Sequence, residues 1–184
     1  MSTFGTQGVQ EAPEYVNKWI KPGIQENVVV HSIEGVEPEG KSPYLEVAFR
    51  LTNGTDQDLT KVKFYMSESA RPKSLEKIKH IATKLVTEEQ IDAVTGDDLV
   101  TYGANLNRLL SGKAVREFKF IGEEYINASG EVKVKATIGL PKFASREVGT
   151  LTYDKNNQYD YKKVVVADAE QSNVPVTADS GLPF

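Results

Sequence analysis

At 184 residues, 39% of them hydrophobic and 26% charged, the chain is long enough for one domain with tails and has apolar side chains for a core of its own. It has no cysteine, which excludes disulfides, thiolate metal ligands and a thiol nucleophile. The net charge of -4 argues against a globally basic nucleic-acid binder, but the charge is segregated. Asp168 to the end holds three acids and no base and Glu88 to Asp98 holds five, which leaves 18 of the 26 acids against all 22 bases elsewhere.

Residues 1–18 are rich in Gly, Gln, Thr and Ser without a period and read as a flexible arm. They lack the basic and apolar regions of a signal peptide, and no run approaches the roughly 20 apolar residues of a membrane span. A cytoplasmic protein without membrane contact is therefore expected. Trp19, the only tryptophan, is expected as a core anchor, with base stacking as the alternative role. After the Pro22-Gly23 turn, Ile24 to Val36 is a long strand rich in Val and Ile, with Gly35 marking a bend. Tyr44 to Leu51 alternates cleanly. Leu45, Val47, Phe49 and Leu51 point one way; Tyr44, Glu46 and Arg50 point the other. Asn53-Gly54 turns the chain into a third strand, Lys61 to Met66.

The stretch Lys61 to Lys84 holds seven basic residues and two acidic ones. Its strand shows Lys61, Lys63 and Tyr65 on one face and Val62, Phe64 and Met66 on the other. Its helix puts Leu75, Ile78, Ala82 and Leu85 on an apolar stripe that Lys73, Lys77 and Lys84 avoid. Cations beside an exposed aromatic ring suit a polyanion with flat rings, and single-stranded nucleic acid is such a ligand. The helical region extends over about 73–111. It includes a capping box at Thr87-x-x-Gln90 and a stripe of Leu99, Tyr102, Leu106 and Leu109.

Strands return after Gly112. Val115 to Ile121 alternates, Asn127 to Gly130 is a turn, and Val132, Val134, Ala136 and Ile138 line one face of the next strand, opposite Lys133 and Lys135. Pro141 to Thr150 is a loop that contains Phe143, and Tyr159 to Val166 is a candidate for a further strand. Three strands, a helical insertion and two or more strands predict a mainly β fold. It fits a five-stranded antiparallel barrel of the oligonucleotide/oligosaccharide-binding (OB) type, with helices between strands 3 and 4. A β-sandwich with a helical insertion fits the same pattern.

Catalytic signatures are missing. There is no metal-ligand spacing, no Gly-rich phosphate loop and no nucleophile elbow. The carboxylate pairs Glu88-Glu89, Asp97-Asp98 and Glu123-Glu124 read as solvated helix starts or turns. No enzyme, no metal and no cofactor is expected.

Residues 167–184 have no base and no period, and read as a disordered acidic tail. The last six are Asp179-Ser180-Gly181-Leu182-Pro183-Phe184. This end resembles the C-terminal tip of bacterial and phage single-stranded DNA-binding proteins, in which an acidic linker ends in an apolar residue, Pro and Phe. The tip here has one acid close by where that family usually has several. The long insertion and the N-terminal arm look like a divergent phage-encoded member.

The resemblance implies an OB-like DNA-binding domain over 19–166, without an active site, that coats single strands in replication, recombination or repair. Its tip, Asp179, Leu182, Pro183 and Phe184, would dock replication or recombination partners. The site residues expected from pattern and resemblance together are Tyr44, Arg50, Lys61, Lys63, Tyr65, Arg71, Lys73, Lys77, Arg116, Lys119, Lys133, Lys135 and Phe143. The location would be the cytoplasm, the host's if the protein is phage-encoded, and a homo-oligomer is compatible with this reading. The alternative is a phage structural or assembly protein, a capsid- or tail-associated β-domain, which would show no salt-sensitive affinity for oligo-dT.

Overall fold

A computed structural model of the chain describes residues 19–139 and 142–164. Its axis is β1 (Gly23–Val36), which pairs antiparallel with β4 (Ala114–Ile126) through Gly23–Val29 and with β2 (Tyr44–Leu51) through Val28–Val36. On the far side of β2 lies β3 (Thr60–Tyr65), and on the far side of β4 lies β5 (Val132–Thr137). Two short strands, β6 (Ala144–Ser145) and the parallel β7 (Tyr161–Lys162), also attach to β4. The result is an open seven-stranded sheet in the order β3-β2-β1-β4-β5, mainly antiparallel.

The expected closure into a five-stranded barrel is not found. Among the described residues β3 and β5 share no ladder. In its place stands α1 (Arg71–Leu85), whose Lys77 Nζ donates to Ile138 O just beyond β5 at 3.3 Å.

The register of β1 depends on a bulge at His31. The pairing with β2 shifts by one residue between Val30 and Ser32. Strict alternation from Val28 and Val30 would have turned Ser32 and Glu34 inward. The extra residue instead buries Ile33, 4% exposed, and leaves Glu34 in solvent.

The helical insertion falls between β3 and β4 as expected, in three pieces: α1, α2 (Glu88–Asp92) and α3 (Leu99–Leu110). Pro72 in the first turn of α1 lacks the N–H that a helix start leaves unpaired. The predicted capping box forms: Thr87 Oγ1 accepts from Gln90 N at 3.3 Å and Gln90 Oε1 accepts from Thr87 N at 3.1 Å. Asp98 caps α3 through Thr101 N. Gly35 does more than bend a strand, because α3 crosses β1 there. A Cβ on Gly35 would lie 2.1 Å from Leu99 O, and one on Gly103 would lie 2.5 Å from Gly35 N, so the crossing needs glycine on both sides. Asn107 Oδ1 on α3 accepts from Ile33 N at 2.9 Å, which satisfies a β1 amide beyond the reach of β4.

The core lies between the sheet and α1 and α3. Among the described residues four phenylalanines are fully buried, Phe49, Phe118, Phe120 and Phe143. Phe118 lies 5.2 Å from Phe49 and 5.5 Å from Phe143 between ring centroids. Three local expectations change. Trp19 is 55% exposed, with Nε1 donating to Gln57 O, because the chain enters the fold over the rim of the β2–β3 turn. Alternation along β4 breaks at Glu117, which is 2% exposed, because the backbone of Gly149–Leu151 covers its carboxylate with donors. Val132 and Val134 are 51% and 43% exposed, because the end of the β4–β5 hairpin extends past the core. Among the described residues no helix is long and apolar enough to cross a membrane.

Candidate nucleic-acid interface

The outer face of β2 and β3 is built by register. Tyr44 lies opposite Tyr65, Glu46 opposite Lys63, and Ala48 opposite Lys61. The alternation that buries Val62 and Phe64 turns Lys61, Lys63 and Tyr65 to solvent, as the period predicts. The two tyrosine rings meet edge to face, with centroids 5.9 Å apart, and Lys63 Nζ stands 4.3 Å from the centre of the Tyr44 ring. Tyr65 is 49% exposed, so a ring face is open to a ligand. The hydrogen bond with Tyr44 holds the Lys63 ammonium above its ordinary pKa. Lys61 is held above its own by the hydrogen bond and charge of Glu46, at 2.7 Å. The face thus presents two rings, a cation braced over one of them, and a second cation balanced by a carboxylate.

Beside this face, a cavity of about 220 Å³ opens between β3, α1 and the residues after β5. Lys63, Tyr65, Lys73, Ser74 and Lys77 supply its polar lining. Burial, then repulsion from Lys162 and Lys73, push the pKa of the half-buried Lys77 down; Glu76 pulls it up. Lys162, on β7, thus acts on Lys77 by charge without lining the cavity. Sequence reading passes it over because β7 is only two residues long and carries no period.

The remaining expected residues divide by environment. Lys133 and Lys135 are exposed on β5, ion-paired with Glu131 and Glu123 at 3.1 and 3.2 Å. Tyr125, 42% exposed, lies opposite Lys133 on β4; the pairing of a half-exposed ring with a Lys-x-Lys strand is a signal the sequence held and the pattern reading missed. Arg116 is exposed on β4. Arg71 faces another cavity, of about 470 Å³, with Glu37, Asp97 and Asp98 in its lining, and its Nε donates to Met66 O at 3.4 Å. Arg71 thus shares its cavity with three carboxylates. Arg50 is half-buried and donates to Gly54 O at 3.4 Å, bracing the turn.

Two residues are removed from the site. Phe143 is fully buried, 4.6 Å from His80 and 5.5 Å from Phe118 between ring centroids, so its face is closed to a base. Lys119 is neutralised by the buried Asp160 at 2.6 Å. Glu124 was expected in solvent; it instead accepts from Tyr161 Oη and from Val164 N, both at 3.0 Å, and anchors the chain around β7. The tip residues Asp179, Leu182, Pro183 and Phe184 lie outside the described residues, as do the arm 1–18 and the tail 167–184. Among the described residues no group of three or more His, Asp or Glu is placed to hold a metal ion.

The sequence matches no protein-family model, and comparison with curated proteins finds no relative.

Proposed function

We propose that this protein binds single-stranded DNA on the outer face of β2 and β3 and protects it during replication, recombination or repair. The observation that carries the reading is the Tyr44–Tyr65 pair with Lys63 braced over the Tyr44 ring, on an exposed face with a cationic cleft at its edge. Half-exposed rings stack on bases of any sequence, and neighbouring cations follow the phosphates. The topology supports it. The strand order and the position of the helical insertion suit a partly open OB-type barrel, a fold that takes oligonucleotides on strands 2 and 3 and on the loops after strands 1 and 4. The loop after β4 here tips the exposed hairpin that carries Tyr125, Lys133 and Lys135. In the same reading the C-terminal tip, Asp179 with Leu182, Pro183 and Phe184, recruits partner proteins, and the protein works in the cytoplasm, the host's if it is phage-encoded.

The test is a titration with oligo-dT at several salt concentrations, with duplex DNA in parallel. Log K falls linearly with log salt, by about 0.7 per phosphate neutralised, and the duplex binds more weakly because its bases are not free to stack. Equal affinity for the two forms, or no salt-sensitive binding, overturns the proposal.

A further inference from the structure

We propose that the cleft between β3, α1 and the end of β5 is a phosphate subsite, in which Lys73 and Lys77, one turn apart on α1, together hold one backbone phosphate of the bound strand. The inference rests on the reading of the β2–β3 face as the stacking platform.

The cleft is built to fixed dimensions. Ser74 Oγ in the first turn of α1 donates to Tyr65 O at 2.7 Å, which ties the helix to the last residue of β3. Lys77 Nζ donates to Ile138 O, which ties the same helix to the residues after β5. Lys63 from β3 and Lys73 and Lys77 from α1 therefore line one cleft.

Among the described residues no carboxylate lines the cleft, and the first turn of α1 has no acid. Among the described residues Lys63, Lys73 and Lys77 form no ion pair, whereas Lys61, Lys79, Lys119, Lys133 and Lys135 do. Glu76 acts on Lys77 from the same helix but does not outweigh burial and the two neighbouring lysines. Like charges held together in a half-buried cleft are unfavourable until an anion enters between them. The cavity, about 220 Å³, is smaller than the roughly 300–1,000 Å³ usual for small-molecule sites, which suits a phosphate group rather than a whole nucleotide. Tyr65 shares the lining, so a base on its exposed ring places the adjoining phosphate at the mouth.

Two measurements test this on the full chain. The first is the oligo-dT salt slope of Lys73→Gln, Lys77→Gln and the double variant. Two lysines on one phosphate predict that the double variant loses about 0.7 from the slope, one phosphate's share, and not the roughly 1.4 of two independent contacts. The second is titration of wild type with inorganic phosphate, followed by backbone amide NMR. Shifts are expected at Lys73, Ser74 and Lys77 and are lost in the double variant. Slopes unchanged from wild type, or a double variant that loses two shares, overturn the subsite while leaving the stacking face intact. Phosphate shifts at those residues in a protein that does not bind oligo-dT would overturn the DNA reading and leave an anion site.

Discussion

Replacing Glu117 by glutamine probes a heavily bonded buried side chain. Its carboxylate is buried and accepts from Gly149 N at 2.7 Å, Thr150 N at 3.0 Å, Thr150 Oγ1 at 3.1 Å and Leu151 N at 2.9 Å. Glutamine keeps nearly the same shape but only one accepting oxygen. Whichever way the amide turns, its NH2 faces at least one backbone N–H. Hydrogen bonds to a charged group contribute about 1.5–3 kcal/mol each and neutral ones about 0.5–1.5. Losing one bond and weakening the others, offset by the relief of not burying a charge, leaves a net loss of about 2–4 kcal/mol. For a chain of this size that lowers the melting temperature by roughly 5–15 °C. Burial alone would raise the Glu117 pKa; the donors on Gly149, Leu151 and Thr150 outweigh it and hold the carboxyl below its ordinary range. A carboxyl depressed in the folded state contributes stability that is fully present above the ordinary glutamate pKa and is lost as pH falls through the folded value. Wild type should therefore lose its advantage over Glu117→Gln on acidification. Thermal unfolding followed by circular dichroism, at neutral pH and in acid, measures both effects. A variant that melts with wild type at neutral pH, or a gap that does not narrow in acid, refutes the reasoning.

Phe143→Ala should cost about 3–5 kcal/mol of stability, as for other buried phenylalanines, with the oligo-dT affinity of the folded protein unchanged; weaker binding at an unaltered melting temperature would return Phe143 to the interface. Tyr65→Ala should do the reverse, losing roughly 1–3 kcal/mol of oligo-dT binding with melting unchanged, and a stability loss without a binding loss would make the ring a packing residue. Deleting Asp179 to Phe184 should leave oligo-dT affinity unchanged or slightly higher at low salt, since Asp179 has the sign of phosphate, while abolishing pull-down of a replication or recombination partner. A Phe184→Ala protein that keeps every partner of the intact chain would refute the role given to the tip.

Local chemistry made much of this molecule legible in its sequence. The period of two in Tyr44–Leu51 and Lys61–Met66 is a property of neighbouring residues, and it assigned both strands and the outward face of Lys61, Lys63 and Tyr65 correctly. The capping box at Thr87 and the insertion between the third and fourth long strands were legible for the same reason: each depends on residues a few positions apart. Tertiary structure decided whatever depends on residues far apart in the chain. Phe143, in a loop without a period, is buried because His80 and Phe118 close over it. Lys119 is neutralised by a carboxylate 41 residues away, and Glu117 is buried because a loop more than thirty residues later brings it donors. Among the described residues the sheet is open, with a contact from α1 rather than a β3–β5 ladder at the end of β5. The cationic cleft exists only where β3 and α1 meet the end of β5, so Lys63, Lys73 and Lys77 share a site through the fold alone. A period records which side of its own element a residue takes; which other element lies on that side, and with what charge, is settled by packing.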